Sequence, residues 1–275
     1  MPTFVWILLL LVLMLLLYGL LIRPTLPRRD VSRLTGVDYA HRGLWNAQQP
    51  ENSMAAFRSA VENGFGIELD VHLTRDGHLV VHHDASLKRI CGEDIRIEEH
   101  DLARIRQCRL GHSDEPIPTF DEVLALVNGQ VPLIVELKVE GNADALCRAV
   151  HERMQRYDGP WCMESFHPSA PRWFRLHAPD VIRGLLAYDH LFRRGRKPIT
   201  RVLDLFVFSM LGSCMSRPDF IAYEAVTEGR FNLPMLLLRL MRPHFVAWTI
   251  RSQADMDRFR SRYDLQIFEG FMPRR

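Results

Sequence analysis

The strongest restriction on the fold of this chain is an alternation of short apolar runs with helical segments after residue 36. Segments with a 3.6-residue spacing lie at Ser53–Glu62, Ala143–Tyr157 and Gln253–Tyr263. Strands that alternate with helices predict a parallel sheet, and eight of them favour a closed (β/α)8 TIM barrel, for which ~250 residues is typical. A doubly wound open sheet is the alternative. The predicted strands lie near Val37–Ala40, Ile67–Leu73, Leu133–Val139, Trp161–Phe166, Val181–Leu186, Phe220–Tyr223, Phe245–Ile250 and Leu265–Phe268.

One insertion interrupts the alternation after the second predicted strand. Thr74–Gly77 has the sequence of a turn, and His78–His82 is predicted to be the second strand of a short hairpin. A polar stretch then continues to Pro118, where the next helix starts. The predicted insertion covers about residues 74–118 of a barrel domain that spans residues 37–275.

The first 22 residues contain no charged side chain. The run Phe4–Ile22 would form a helix roughly 28 Å long, close to the ~30 Å hydrocarbon core of a bilayer. A cleaved secretory signal fits poorly because no basic residue precedes the run and no A-x-A-like site follows it. We therefore predict a transmembrane anchor at residues 1–22, followed by a Pro/Arg-rich linker at residues 23–36.

The flanks of the apolar segment predict its orientation. Arg23, Arg28, Arg29 and Arg33 follow it, and basic residues favour the cytoplasmic side. The five cysteines have no C-x-x-C spacing, which suits reduced thiols better than a disulfide framework. The expected location is the cell membrane, with a single pass and a cytoplasmic catalytic domain.

Charged side chains collect on two neighbouring predicted strands. Glu68 and Asp70 are two residues apart and share one face of a strand, as do Glu136 and Lys138 on the next. Carboxylates inside apolar strands are costly unless their charges are compensated. A hard divalent cation bound through oxygen would compensate three of them. The alternative is an ion-pair cluster with Lys138 and Arg42.

Histidines add the second chemical element. His41 ends the first predicted strand, and His82 and His83 end the hairpin, followed by Asp84. Two imidazoles beside a metal ion would supply a general base and a general acid near neutral pH. Asp84 would orient one of the rings.

The cations and the missing motifs narrow the substrate class. Arg42 and Lys138 beside a divalent metal point to a phosphate-bearing substrate. Nucleotide-binding glycine loops, G-x-S-x-G and H-E-x-x-H are all lacking. The net charge of +2, without a basic stripe carrying interleaved aromatics, gives no sign of nucleic-acid binding.

The string AHRGLWNAQQPENSMAAFRSAVENGFGIELDVHLTRDGHLVVHHD at residues 40–84 resembles the glycerophosphodiester phosphodiesterase family. That family shows HRG, then PENT before a helix, then E-x-D, T-x-DG and HD in this order. The resemblance extends over the body from about residue 38. Its later segments are IPTFDEVL (117–124), VPLIVELK (131–138), MESFHP (163–168), VAWTI (246–250) and IFEGFMP (267–273).

The resemblance implies a role for each matching residue. His83 is favoured over His82 because the family histidine directly precedes the aspartate. Two departures are Ser53 in place of the threonine of PENT, and a last strand that ends in IFEGF. By motif, Glu68, Asp70 and Glu136 are metal ligands, His41 and His83 catalytic residues, Arg42 and Lys138 phosphate contacts, and Glu51 a supporting residue, with Asp84 beside His83.

The resemblance implies Mg²⁺- or Ca²⁺-dependent hydrolysis of glycerophosphodiesters to sn-glycerol 3-phosphate and an alcohol, in lipid metabolism. A lysophospholipase D that acts on lysophospholipids is the alternative, because an anchored barrel sits beside such lipids. A non-catalytic lipid-binding barrel is a third reading. The apolar segments Leu191–Met215 and 234–241 could lie on a bilayer surface. The favoured interpretation is that they are outer helices of the barrel whose apolar residues face the core.

Overall fold

The computed structural model describes residues 2–189, 198–225 and 232–274. Eight parallel strands form a closed ring in which the first strand pairs with both the second and the last. This confirms the (β/α)8 barrel and rules out the open sheet. The strands are β1 Tyr39–His41, β2 Gly66–Leu73, β4 Leu133–Leu137, β5 Trp161–Ser165, β6 Arg183–Ala187, β7 Phe220–Glu224, β8 His244–Ile250 and β9 Leu265–Phe268.

Helices follow most strands and begin where the sequence offers a capping side chain. Ser53 accepts a hydrogen bond from the amide of Ala56, and Thr119 forms a capping box with Glu122. The described helices are α1 Thr3–Ile22, α2 Met54–Glu62, α3 Lys88–Cys91, α4 Leu102–Ile105, α5 Phe120–Val127, α6 Ala143–Met154, α7 Ser169–His177, α8 Pro198–Phe208, α9 Ser213–Ser216, α10 Leu233–Met241 and α11 Gln253–Phe259.

The predicted insertion contains an antiparallel strand, β3 (Leu79–Val81), that pairs with the end of β2. The sequence anticipated this hairpin. Its return places the backbone amide of His82 3.0 Å from the carbonyl oxygen of Asp70. The insertion therefore brings the residues after β3 back to the centre of β2. Helices α3 and α4 and the 3-10 turn Ile97–Glu99 follow within it.

The segment predicted as a linker closes the amino-terminal end of the barrel. Its 3-10 turn Ser32–Leu34 buries Leu34, and the carbonyl oxygen of Leu34 accepts a 2.6 Å hydrogen bond from the hydroxyl of Tyr39. Val31 and Leu34 belong to the same buried cluster as Ile134 and Cys162 on the strands. Residues 23–36 thus form part of the barrel's packing.

Helix α1 is the one segment among the described ranges that is long and apolar enough to cross a membrane, with a mean hydropathy of 3.0. A signal sequence would meet the same criterion. Only its last turns touch the barrel, where Gly19 and Ile22 are buried.

Candidate active site

A row of acidic side chains crosses three neighbouring strands inside the barrel. The parallel register places His41 opposite Glu68, Asp70 opposite Glu136, and Glu136 opposite Glu164. One oxygen from each of Glu68, Asp70 and Glu136 lies within 4.8 Å of the others, and all three residues are buried. The alternation predicted from the sequence therefore brings the three carboxylates together.

Two cations neutralise part of this negative charge. The Lys138 ammonium lies 2.9 Å from Asp70 Oδ1 and 2.8 Å from Glu136 Oε1. Arg42 Nη1 donates a 2.9 Å hydrogen bond to Glu51 Oε1, and its Nε lies 3.6 Å from Asp70 Oδ2. The predicted phosphate-binding cations thus contact carboxylates of the cluster in this structure.

The positions of these cations lower the pKa of one carboxyl group of the cluster and leave the pKa values of the other two raised. Burial would raise the pKa of Asp70, but Lys138, His83 and Arg42 outweigh it and hold that pKa well below its usual range. Burial raises the pKa of Glu136 to about 7, against the opposing charge of Lys138. Burial, reinforced by repulsion from Asp70, Glu136 and Glu164, raises the pKa of Glu68 well above its usual range.

The chemistry of this donor set fits a divalent cation. The three ligand groups are all carboxylates, which hard cations such as Mg²⁺ and Ca²⁺ prefer. The raised pKa values of Glu68 and Glu136 mean that the local cations leave the cluster short of positive charge. A divalent cation held by Glu68, Asp70 and Glu136 would supply that charge.

His41 is fixed by a carboxylate from the last strand. Its Nδ1 lies 2.5 Å from Glu269 Oε2, and its Nε2 lies 3.8 Å from Glu68 Oε2. Burial raises the pKa of Glu269, but the hydrogen bond with His41 dominates with the help of Arg251 and lowers it to about 2. An ionised Glu269 accepts a hydrogen bond from the Nδ1 proton, so the Nε2 lone pair of the neutral ring faces the acidic cluster. Burial lowers the pKa of His41, which favours the neutral ring.

His83 has a similar arrangement at the end of the hairpin. Its Nδ1 lies 2.7 Å from Asp84 Oδ1, and burial lowers its pKa to about 4. His82 points into the core, whereas the His83 side chain is 31% exposed. Glu51 and Asp84 are joined by Arg89, which donates to Glu51 Oε1 at 2.6 Å and to Asp84 Oδ2 at 2.5 Å. Arg89 therefore links the PEN motif to the hairpin.

Four residues of this site were not proposed from the sequence. Asn52 donates from Nδ2 to Asp70 Oδ2 at 2.8 Å. Glu164 is buried, and burial followed by repulsion from Glu136 raises its pKa well above its usual range. Arg89 and Glu269 complete the set. Asn52, Glu164 and Glu269 stand in the quoted PEN, MESFHP and IFEGF segments, so the motifs contained a signal for them. Nothing marked Arg89.

An open cavity of about 580 Å³ lies beside Glu269, the hydrogen-bond partner of His41, at the carboxyl-terminal side of the barrel. It lies between the loop after β1 and the chain after β9. Its apolar wall contains Leu44, Trp45, Phe271 and Met272, and Glu269 also lines it. The site therefore has an apolar flank beside its acid–base residues.

Comparisons with known proteins relate the chain to one family. The model of the glycerophosphoryl diester phosphodiesterase family matches residues 41–164. A glycerophosphodiester phosphodiesterase of Caldanaerobacter subterraneus is 34% identical over 161 residues, which cover 54% of this chain and 65% of the relative. A human lysophospholipase D is 33% identical over 149 residues, 49% of this chain and 46% of the relative. The chain thus aligns with less than two thirds of the length of each of these two relatives.

The fold is also found among solved structures. An Oleispira antarctica phosphodiesterase in complex with the product sn-glycerol-3-phosphate superposes with a TM-score of 0.69. It is 22% identical, and the match covers 87% of this chain and 95% of that one. At this identity the likeness shows a common fold. Together with the matched family model and the sequence relatives, it establishes that this chain belongs to the glycerophosphodiester phosphodiesterase family.

Proposed function

We propose that the chain hydrolyses glycerophosphodiesters to sn-glycerol 3-phosphate and an alcohol with the help of a divalent cation, Mg²⁺ or Ca²⁺. The observation that carries the proposal is the convergence of Glu68, Asp70 and Glu136 within 4.8 Å, next to His41. When bound, the cation would supply Lewis-acid polarisation of the phosphoryl oxygens. Arg42 and Lys138 would add positive charge where negative charge develops in the transition state.

The two histidines divide the proton transfers. One imidazole Nε2 takes the proton of the attacking water as its oxygen bonds to phosphorus, and the other ring, which enters the reaction as the imidazolium, protonates the alkoxide from its Nε2 as the phosphorus–oxygen bond to the alcohol breaks. Glu269 accepts a hydrogen bond from Nδ1 of His41, and Asp84 from Nδ1 of His83, so that Nε2 of each ring is the atom that exchanges the proton. Glu51 positions Arg42 through their 2.9 Å hydrogen bond.

A panel assay tests this proposal directly. The full-length chain should release glycerol phosphate from glycerophosphocholine in the presence of Mg²⁺ or Ca²⁺. Chelation should abolish the release and re-addition of the cation should restore it, because carboxylates alone cannot polarise the phosphate. Turnover that persists after exhaustive chelation would refute the metal role. Lipid binding without turnover in any cation would favour a non-catalytic barrel.

Lysophospholipase D activity is a second candidate because of the apolar cavity beside Glu269. Leu44, Trp45, Phe271 and Met272 offer a surface that an acyl chain could cover. The same panel separates the candidates when kcat/KM is compared for glycerophosphocholine and lysophosphatidylcholine. A higher value for lysophosphatidylcholine would make lysophospholipids the substrate class.

We further propose that Thr3–Ile22 is a single membrane anchor, that residues 23–36 connect it to the catalytic barrel at 37–275, and that this barrel is cytoplasmic. The helix length supports spanning, and Arg23, Arg28, Arg29 and Arg33 follow the helix on the barrel side. Protease digestion of right-side-out and inverted vesicles tests the orientation. Digestion of the barrel in right-side-out vesicles would overturn it.

Glu269 is expected to act as a positioning residue for His41. Glu269→Gln should lower kcat by about 10²-fold or more, because the neutral amide no longer fixes the tautomer of the ring. Its negative charge raises the pKa of His41, so its loss should move the limb of the pH–rate profile that reports His41 to lower pH.

The matched variant Glu269→Asp keeps the charge. It should lose less activity and leave that limb closer to its wild-type position. A Glu269→Gln enzyme with a wild-type pH profile would show that the contact is merely structural.

A further inference from the structure

Exposed apolar side chains on this barrel are concentrated on one side. Outside α1, six of the large hydrophobic residues exposed in the described ranges lie on α8 and α10, and Met215 lies on the adjoining α9. Outer helices of soluble barrels present polar residues to water. We call these seven residues the outer apolar surface: Val202, Leu203, Leu205, Phe206, Met215, Leu236 and Leu240.

Helix α10 carries apolar side chains on its solvent-facing side as well as on its buried side. Pro234, Met235 and Leu238 pack into the barrel, while Leu236 is 49% and Leu240 is 72% exposed. The helix is therefore apolar on both its inner and outer faces. Packing against the core therefore explains Pro234, Met235 and Leu238 but not the exposed Leu236 and Leu240. Residues 191–197 of the first apolar segment lie outside the described residues.

The outer apolar surface adjoins the point where α1 joins the barrel. The Tyr18 hydroxyl donates a 2.7 Å hydrogen bond to the carbonyl oxygen of Ser209, directly after α8. A Cβ added at Gly19 would lie 3.3 Å from Met241 Cε at the end of α10. Helix α1 thus leaves the barrel beside the carboxyl-terminal ends of α8 and α10.

The junction itself is held by several hydrogen bonds. Arg217 Nη1 donates to the carbonyl oxygens of Leu20, Leu21 and Arg23 at 2.9, 3.2 and 3.1 Å, which satisfies the open end of α1. The amide of Thr25 donates to the carbonyl oxygen of Pro218 at 2.9 Å, and its hydroxyl donates to that of Arg217 at 2.6 Å. These contacts fix the direction of α1 relative to the barrel.

Charge around the surface matches lipid headgroups. The only acidic residue of α8 and α10 is Asp204, which is 1% exposed. Arg201 on α8 and Arg242 directly after α10 are exposed, and Arg23 is exposed at the end of α1. Exposed apolar residues bordered by arginines are typical of helices that lie in a membrane interface.

We infer that α8, α9 and α10 rest in the interface of the phospholipid bilayer that α1 enters, so that the barrel docks on the membrane through the outer apolar surface. Residues of α1 before Tyr18 are almost all exposed to solvent in the isolated chain, and a bilayer would cover them. Because the junction is fixed, a bilayer around α1 lies next to the ends of α8 and α10. The occupant of the surface is therefore lipid.

Fluorescence quenching in vesicles tests the docking. The full-length chain, with the half-buried Cys91 and Cys214 changed to serine, would carry a single environment-sensitive label at Phe206→Cys or Leu240→Cys. In phosphatidylcholine–phosphatidylglycerol vesicles, both labels should be quenched by nitroxide-bearing acyl chains and be several-fold less accessible to iodide than a label at Arg58→Cys. Arg58 is exposed on α2, which follows β1 on the opposite side of the ring from β6, so it is the matched control.

A second pair of variants separates docking from tethering. Leu236→Glu with Leu240→Glu should leave the chain in the membrane through α1 but raise the iodide accessibility of the label at residue 206 several-fold. Both positions are exposed, so the barrel should keep its thermal midpoint. Equal iodide accessibility at positions 206, 240 and 58 in the parent chain would overturn the inference. So would iodide protection without lipid quenching, which would mean that a second copy of the chain covers the surface.

Discussion

Replacing His41 with asparagine is expected to lower kcat by about 10²–10⁴-fold while the barrel stays folded. The asparagine amide can donate to Glu269 as Nδ1 does, but no atom replaces the Nε2 lone pair that faces Glu68. Glu269 also keeps its 2.7 Å hydrogen bond from Arg251 Nε, so it is not left unpaired. Steady-state release of glycerol phosphate measures the loss, and circular dichroism checks the fold.

His78→Asn is the matched control for this substitution. His78 lies in the hairpin turn, and its side chain is 52% exposed. Its replacement should leave kcat at the wild-type value. If His41→Asn retained comparable activity, the ring would not serve as an acid or base.

Glu68→Gln is expected to abolish turnover without destabilising the metal-free chain. Burial and the neighbouring carboxylates hold the pKa of Glu68 well above its usual range, so this site disfavours the charged form when no cation is bound. An uncharged amide of the same size therefore removes a charge that the metal-free site does not favour. Because it is a poor cation ligand, activity should fall by about 10³-fold or more, which corresponds to several kcal/mol of transition-state stabilisation.

Thermal unfolding distinguishes this prediction from simple damage. Mg²⁺ or Ca²⁺ should raise the thermal midpoint of the wild-type chain, since a ligand of the folded state stabilises it, and should raise that of Glu68→Gln far less. In chelator the two midpoints should agree. Glu62→Gln, on the exposed side of α2, should behave as wild type in both measurements. A variant that kept the full cation-dependent rise would remove Glu68 from the proposed ligand set.

Local periodicity in the sequence was sufficient to predict the carboxylate cluster. Glu68 and Asp70 alternate with Ile67 and Leu69, so a strand must place them on one face. The neighbouring strand adds Glu136 because the parallel register aligns it with Asp70. The first strand was predicted less well. Its pairing with β2 begins at Tyr39 rather than Val37, because the preceding segment turns beneath the barrel instead of extending the sheet.

Contacts between distant parts of the chain could not be predicted in this way. Glu269 reaches His41 because the ring closes between β9 and β1, and no local pattern specifies which side chains meet at that seam. Arg89 is part of a short helix in the insertion, and its position depends on how that insertion folds over the barrel. The sequence likewise could not predict which apolar residues of α8 and α10 would be exposed. Each helix has two apolar faces, and either face could pack against the barrel.

The positions of the site and of the outer apolar surface bear on the substrate. Helix α8 follows β6, and β6 is separated from β1 by three strands in either direction around the ring. Helix α8 and β1 therefore lie on opposite sides of the ring. Under the proposed docking, a lysophospholipid would have to leave the bilayer to reach His41, whereas a deacylated glycerophosphodiester would arrive through water. The proposed docking would therefore favour the water-soluble substrate.

The hydrogen bond between His41 and Glu269 also bears on when this protein can become active during its synthesis. His41 ends β1, whereas Glu269 directly follows β9, the last strand in chain order. A nascent chain that has already formed the acidic cluster still lacks the partner that fixes the tautomer of His41. Full activity should therefore arise only after the ribosome has delivered the final strand, so that incomplete chains are nearly inactive as phosphodiesterases.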